Sequence, residues 1–157
     1  QFDPTLNWED IAWVKKQWGG KLILKGIMDV EDAKLAVASG ADAIVVSNHG
    51  GRQLDGAPSS IEALPAIVAA VGDQIEVWMD GGIRSGQDVL KAWALGAKGV
   101  MIGRAMVYGL GAMGEAGVTK ALQIIHKELD VTMAFCGHTN IQTVDKSILL
   151  PGTFPTA

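Results

Sequence analysis

A histidine and an arginine lie three positions apart in the segment 47–55, directly after an apolar run that predicts a strand. The imidazole of His49 suits proton abstraction near neutral pH, and the planar guanidinium of Arg52 suits a two-point contact with a carboxylate. Between them, Gly50 and Gly51 favour close approach of the backbone to a ligand. The residue types leave one alternative open, that His49 and Arg52 are solvated loop residues.

Lys25 ends an otherwise apolar run, Leu-Ile-Leu-Lys-Gly. A charge at the inner end of a buried strand is unfavourable unless it meets an anion or an electron-rich ring. Lys25 is therefore a candidate ligand contact. The alternative is a side chain that extends along the surface to reach water.

Two later loops combine glycine with arginine. The segment 80–86 carries Arg84 after two glycines, and Gly103 precedes Arg104 at the end of the next apolar run. Glycines let backbone N–H groups reach phosphate oxygens, and arginines neutralise their charge. In eight-unit barrels the loops after the last two strands form such a phosphate site. Tight turns alone explain the glycines but not two arginines at matching places.

Two other patterns do not predict ligand sites. The segment 109–114 matches G-x-G-x-x-G, but it lies too far beyond the strand that ends near Ile102, and no acidic residue follows in the required context. We expect its small residues to serve helix packing. His126, Cys136 and His138 lack the spacing of a zinc site.

Composition excludes further classes. The chain has 157 residues, 48% of them apolar, and a net charge of −4, as expected for one folded domain. A pI near 5.3 without a dense Lys/Arg run argues against nucleic-acid binding. There is no apolar stretch of about 18 residues. No signal-peptide pattern opens the chain, and the single Cys136 fits a reducing compartment, so we expect a cytoplasmic protein.

Four short apolar runs are each followed by a glycine-containing loop and a helical pattern, which predicts four βα units. Continuous apolar runs are typical of a parallel sheet covered on both faces. The predicted strands are 22–25, 43–47, 75–79 and 99–102.

Helix start signals accompany these strands. Asp29 is a candidate cap, and the pairs Ser59/Glu62 and Ser85/Asp88 have capping-box spacing. The last predicted helix has apolar residues at helical spacing and is expected to pack on the sheet. The predicted helices are 8–14, 30–39, 61–71, 89–95 and 116–135.

Four βα units are half of an eight-unit barrel of roughly 250 residues. They leave two unpaired strand edges, which proteins normally cover. Either a partner chain closes the barrel, or the sheet is open and doubly wound. We expect residues 1–157 to form one such domain, with 149–157, which contains two prolines, as an extended tail.

Four motifs, in this order and spacing, resemble the FMN-dependent α-hydroxy-acid dehydrogenase family, which includes L-lactate and mandelate dehydrogenases and glycolate oxidase. They are Leu-Ile-Leu-Lys-Gly-Ile at 22–27, Ser-Asn-His-Gly-Gly-Arg-Gln-Leu-Asp at 47–55, Asp-Gly-Gly-Ile-Arg at 80–84 and Ile-Gly-Arg-Ala at 102–105. The resemblance runs across nearly the whole chain. It implies an α/β fold, the last four βα units of a TIM barrel with a C-terminal helix.

The resemblance also implies FMN as the cofactor. Lys25 would contact the N1/O2 edge of the flavin, and Ser47 would touch the ring. His49 would be the active-site base, and Arg52 would bind the substrate carboxylate. The ribityl-phosphate end would be held by Asp80, Gly81, Gly82, Ile83, Arg84, Gly103 and Arg104.

The implied reaction is oxidation of an L-2-hydroxy acid, lactate or mandelate, to the 2-oxo acid. Electrons would pass from FMN to a quinone, a cytochrome or dioxygen. Both hydride transfer and carbanion formation stay open as mechanisms.

In the family, the first four units carry two active-site tyrosines and the aspartate that orients the catalytic histidine. We therefore expect this chain to need an N-terminal half or a second copy for activity, and to form a homo-oligomer. The alternative is an inactive half-barrel that assembles through its strand edges. Membrane association would depend on a loop outside this chain.

Overall fold

The structure, a computed structural model, describes residues 4–157. Four strands alternate with helices along the chain, as the apolar runs predict. The elements are α1 (Trp8–Trp18), β1 (Ile23–Ile27), α2 (Val30–Ala38), β2 (Ala43–Val46), α3 (Ser60–Val71), β3 (Glu76–Met79), α4 (Gly86–Ala94), β4 (Gly99–Val100) and α5 (Arg104–Phe135), with short 3-10 turns at His49–Gly51, Ile141–Thr143 and Lys146–Ile148.

The strands form one parallel sheet in the order β1-β2-β3-β4, so neighbours in the sheet are neighbours in the chain. Crossovers between parallel strands are right-handed almost without exception, and a sequential order therefore places every helix on the same face. A doubly wound sheet reverses its order once and has helices on both faces. The order confirms the half-barrel and excludes the doubly wound alternative.

The main core lies between the sheet and helices α2 to α4. Ile44 and Val77 point toward the helices and pack with Leu64 and Ile67. On the opposite face, Val45 lies in register between its neighbours in β1 and β3. The expectation that both faces are covered holds for β2, which is buried throughout, and is wrong for β1.

The predicted caps form. Asp29 accepts from two backbone N–H groups at the start of α2, and both predicted capping boxes are present, at Ser59/Glu62 and Ser85/Asp88. Each box satisfies N–H groups that a helix start leaves without an intrahelical partner.

Helix α5 differs from its prediction. It begins at Arg104, not near 116, and its backbone leaves helical geometry at Met113 and Gly114. The two arms of α5, 104–112 and 115–135, meet where a Cβ added at Gly117 would lie 1.8 Å from the carbonyl oxygen of Gly109. Glycine is the residue that allows this approach, as expected from the small residues of this segment.

The second arm of α5 packs mainly against α4 rather than on the sheet. A Cβ added at Gly86 would lie 2.0 Å from the backbone nitrogen of Leu129. The Gly86 N–H donates to the Glu128 carboxylate at 3.0 Å. This carboxylate therefore lies at the positive end of α4.

Asp42 ties the sheet to the segment before it. Its carboxylate accepts from the backbone N–H of Leu22 at 2.9 Å and pairs with Lys21 and Lys15 at 2.9 and 3.1 Å. The N–H of Leu22, followed by the two lysines, holds the pKa of Asp42 well below its ordinary value.

The final segment 149–157 contains turns but no helix or strand. Leu149 and Phe154 pack against the main core, so this segment lies on the body of the domain. Among the helices of residues 4–157, none combines the length and hydropathy that crossing a bilayer requires.

Candidate active site

Three strand ends are joined by one polar network. Lys25 Nζ lies 3.0 Å from Asp80 Oδ2 and donates to Ser47 Oγ at 2.9 Å. Ser47 Oγ also accepts from the backbone N–H of His49 at 3.1 Å, and Ser47 is only 1% exposed. Because parallel strands end at the same rim, the network brings the β1, β2 and β3 candidates together.

The loop that carries the histidine has a strained backbone. His49 has φ of +55°, and no other non-glycine residue among those described has positive φ. Gly50 and Gly51 follow with φ of +67° and +71°. A side chain with Cβ is disfavoured there, and such conformations cluster at functional sites.

The imidazole of His49 packs on β1. Its Cε1 lies 2.7 Å from the position of a Cβ at Gly26. The pairing of β1 with β2 shifts register between Lys25 and Ile27, so Gly26 lies in a bulge with φ of +101°. Bulges redirect neighbouring side chains, and here the bulge places Gly26 against the imidazole while Lys25 reaches Ser47 and Asp80.

The guanidinium groups of the three arginines have no hydrogen bond or ion pair with any of the residues that the structure describes. Arg104 extends toward the histidine loop, with Nη2 3.9 Å from the Cβ position at Gly50. Arg52 and Arg84 are exposed. Unpaired guanidinium groups on one rim are free to bind carboxylate or phosphate.

The Asp80–Gly82 turn lies against the histidine loop. Gly81 and Gly82 have φ of +89° and +79°, and a Cβ at Gly81 would lie 2.9 Å from Ser60 Oγ and 3.3 Å from Asn48 Oδ1. In contrast, Gly82 has open space where a Cβ would lie, and so does Gly103 at the start of α5. These two open glycines leave the backbone accessible to a ligand.

The side chain of Ile83 does not face this rim. It is 6% exposed and belongs to the main core. Only its backbone is therefore available for the cofactor contact expected of this residue. Its apolar side chain anchors the turn to the helices beneath.

One oxygen of Asp80 is an unfilled acceptor. Oδ2 pairs with Lys25, but Oδ1 is buried and has no partner among the described residues. A buried carboxylate oxygen without a donor is unfavourable, and a ligand hydroxyl would satisfy it. This fits the polyhydroxyl ribityl chain of FMN.

The rim is open. A cleft of about 580 Å³ lies at the other end of the strands, where its lining includes Asp42, Glu76 and Lys98. A second, about 340 Å³, lies between the start of α4 and the second arm of α5. Neither contains the candidate residues, so their rim needs a further surface to become an enclosed site.

Sequence reasoning did not identify Gly26, Asn48 or Ser60 as parts of this site. A glycine within the first strand run is a bulge signal, and this signal could have identified Gly26. The contacts of Asn48 and Ser60 depend on how the loop returns to α3, which the local pattern does not contain.

Comparison with known proteins supports the motif resemblance. The family described as FMN-dependent dehydrogenase matches residues 1–151. The L-lactate dehydrogenase of Caulobacter sp. (strain K31) is 57% identical over 148 residues, covering 94% of this chain and 39% of that protein. The pre-mycofactocin synthase of Mycobacterium tuberculosis (strain ATCC 25618 / H37Rv) is 54% identical over 152 residues, covering 96% and 38%.

Solved structures agree. The monotopic membrane protein (S)-mandelate dehydrogenase superposes with a TM-score of 0.90 at 43% identity, covering 94% of this chain and 39% of that one. A mandelate oxidase with (S)-4-hydroxymandelic acid gives 0.84 at 49% identity, covering 87% and 39%. The chain thus spans about two fifths of the proteins it matches.

Proposed function

We propose that this chain, which belongs to the FMN-dependent dehydrogenase family, supplies the base and the phosphate cradle for oxidation of an L-2-hydroxy acid to a 2-oxo acid. Lactate and mandelate are the proposed substrates. They are the substrates implied by the names of an L-lactate dehydrogenase and an (S)-mandelate dehydrogenase among the similar proteins.

The observation that carries the proposal is the network of Lys25, Ser47 and Asp80. It joins three strand ends around a buried oxygen, Asp80 Oδ1, that has no hydrogen-bond donor among the described residues. Such a network is costly unless a ligand completes it. Two unpaired arginines, Arg84 and Arg104, supply positive charge for a phosphate on the same rim.

FMN, when bound, supplies the two-electron acceptor for the reaction. Asp80 would accept from a ribityl hydroxyl, and the open backbones at Gly82 and Gly103 would approach the phosphate. Lys25 would place its ammonium at the electron-rich edge of the flavin ring. The remaining cofactor contacts that we propose are the Gly81 and Ile83 backbones at the ribityl-phosphate end and the Ser47 side chain at the flavin ring.

We propose that the loop after β2 carries both residues that act on the substrate. Arg52 would bind the carboxylate at two points, which fixes the orientation of the neighbouring C2 carbon. A ring nitrogen of His49 would then take a proton from that carbon or from its hydroxyl. The same imidazole would hold that proton as imidazolium until the product leaves.

The test uses this chain joined to the part of the Caulobacter L-lactate dehydrogenase that it does not match, called here the complemented chain. We expect it to bind FMN and to reduce a dye with L-lactate or (S)-mandelate. His49→Asn should lower kcat by about 10²–10⁴-fold. His126→Asn, a change of the same type on exposed α5, should leave kcat unaltered.

Variants of Arg52 and Arg84 test substrate binding and cofactor binding separately. Arg52→Met should raise KM for the hydroxy acid with little effect on FMN affinity. Arg84→Met should weaken FMN binding and leave KM of the loaded protein nearly unchanged. Equal effects of both variants on KM would contradict the proposed division of roles.

The second candidate is an inactive half-barrel that assembles through its strand edges. Ile23 on β1 is 46% exposed on the face away from the helices, which favours covering by another surface. Light scattering of the chain alone tests it. Twice the chain mass without flavin supports self-assembly, whereas FMN binding only in the complemented chain supports the enzyme.

The electron acceptor and cellular location follow from the same proposal. We propose a cytoplasmic homo-oligomer that passes electrons to a quinone, a cytochrome or dioxygen, with membrane association as the alternative location. Comparing oxygen consumption with quinone and cytochrome c reduction identifies the acceptor. Fractionation of the cells in which this chain occurs naturally distinguishes the two locations.

A further inference from the structure

Asn48 makes hydrogen bonds in three directions. Its side-chain Oδ1 accepts from the Gly50 N–H at 2.9 Å, and its Nδ2 donates to the Pro58 carbonyl oxygen at 3.1 Å. Its backbone N–H donates to Ser60 Oγ at 3.2 Å. One residue therefore joins the start of the histidine loop, the end of that loop and the first residue of α3.

The loop between these anchors has little other support. Residues 52–56 are all exposed, and within them no side chain makes a hydrogen bond or ion pair to another described residue. The Asn48 amide spans from the His49–Gly51 turn to Pro58, which closes the loop at its base. Of the three bonds, only the backbone bond to Ser60 remains without the amide, so residues 49–58 can then adopt more conformations.

The closed end also holds an unfavourable conformation. The positive φ of His49 persists only where neighbouring contacts determine it. The Gly50 N–H bonded to Asn48 Oδ1 and the Gly51 N–H bonded to the Asn48 carbonyl oxygen, at 3.0 Å, are the contacts that fix the turn. The asparagine is thus bonded to both residues that follow His49.

Ser60 anchors this arrangement to the phosphate turn. Ser60 is 2% exposed, and its Oγ lies against both the Asn48 N–H and Gly81. Movement of Asn48 would therefore disturb the contact between the histidine loop and the Asp80–Gly82 turn. The contact links the region proposed for the substrate to that proposed for the cofactor.

We propose that Asn48 is a positioning residue, which sets the approach of His49 and Arg52 to the substrate because its side-chain amide closes the loop 49–58 between Gly50 and Pro58. This inference rests on the proposed function for its effect on turnover. Its effect on the loop does not depend on that function. Asn48 itself acts through the two side chains that it orients.

The first measurement is millisecond hydrogen exchange with mass spectrometry on the FMN-loaded complemented chain. Asn48→Ala should accelerate exchange in the peptide 47–58 by about tenfold, because the Gly50 N–H loses its side-chain acceptor and the bond to the Pro58 carbonyl oxygen is lost. Asn140→Ala is the matched control. Its Oδ1 accepts from the Gln142 N–H at 3.0 Å, which is also a bond to the residue two positions later, and Gln142 lines the cleft at the other end of the strands.

The second measurement is steady-state turnover of the same proteins. Asn48→Ala should lower kcat about tenfold to a hundredfold, since a displacement near 1 Å at the reacting groups has that effect. The visible spectrum of bound FMN should be retained. Asn48→Asp keeps the acceptor for Gly50 and loses the donor to Pro58, so it should recover part of kcat and part of the exchange protection.

The outcomes are distinguishable. Unchanged exchange in 47–58 for Asn48→Ala would overturn the positioning role whatever the substrate. Accelerated exchange with normal kcat would overturn its link to turnover. Accelerated exchange together with no turnover of unsubstituted protein on either hydroxy acid would overturn the proposed function while supporting the loop closure. If Asn48→Ala does not fold, the comparison of Asn48→Asp with unsubstituted protein decides.

Discussion

The imidazole of His49 occupies the space that a side chain at Gly26 would need, with Cε1 2.7 Å from that Cβ position. The contact is between the bulge of β1 and the loop after β2, two strands that pair in the sheet. The imidazole of the proposed base thus packs directly against the backbone of Gly26.

We expect Gly26→Ala to displace the imidazole and lower kcat of the complemented chain by about a hundredfold. FMN absorbance should be retained, because the phosphate rim is untouched. Gly137→Ala is the matched control, since Gly137 also has positive φ, +77°, but has open space at its Cβ position. If both variants lose the same activity, backbone strain and not the imidazole contact is responsible.

Asp80→Asn tests the buried acceptor. The substitution removes the charge that pairs with Lys25 and places a donor where an acceptor is expected, so FMN affinity should fall about tenfold, equivalent to about 1.4 kcal/mol. Fluorescence titration with FMN measures it. Asp130→Asn, on the exposed surface of α5, should bind FMN as the unsubstituted protein does. If Asp80→Asn binds FMN as tightly as the unsubstituted protein, the unpaired Oδ1 of Asp80 does not support a cofactor site here.

The close approach of the α5 arms predicts opposite effects of the same substitution at two glycines. Gly117→Ala places a Cβ against the Gly109 carbonyl and should lower the free energy of unfolding by about 3 kcal/mol. Gly111→Ala enters open space on the same helix and should raise it by about 0.5–1 kcal/mol through helix propensity. Urea unfolding of the chain compares them. A neutral Gly117→Ala would show that the arms do not pack backbone to backbone.

The lowered pKa of Asp42 predicts a pH-dependent contribution to stability. A carboxyl whose pKa is lower in the folded state stabilises the fold above its unfolded value, near 3.8, and loses that contribution as pH falls below it. Asp42→Asn should therefore lower the urea midpoint at pH 7, and the difference from the unsubstituted chain should shrink as the pH falls below about 4.

The exposed Asp73→Asn should show no such pH-dependent difference. A constant difference for Asp42→Asn between pH 7 and pH 3 would mean that shape, and not charge, explains the effect.

Local signals predicted most of the fold. The structure has the capping boxes at Ser59 and Ser85 and the four strands where the sequence predicts them. Each of these features depends on residues that are close together in the sequence. The course of α5 was not predictable in this way. Whether Gly114 interrupts a helix depends on contact between Gly109 and Gly117, which only the folded chain creates.

The candidate site, like the fold, was predictable only in part. Residue type alone identified His49, Arg52 and Lys25 as chemically notable, and strand order was enough to expect them at one rim. The bulge at Gly26 and the three-way contacts of Asn48 arise from distant segments meeting. Ile83 shows that a motif can also predict too much. It lies inside a motif expected to bind the cofactor, but its side chain packs in the main core.

The sequential strand order bears on how the chain folds during synthesis. Each strand pairs with the strand immediately before it in the chain, so the ribosome delivers every partner in the order in which the sheet needs it. No strand pairs with one made much later, so each pairing can form as soon as the second strand of the pair has been made. The contacts of Leu149 and Phe154 form last, when they cover a core that the four units have already built.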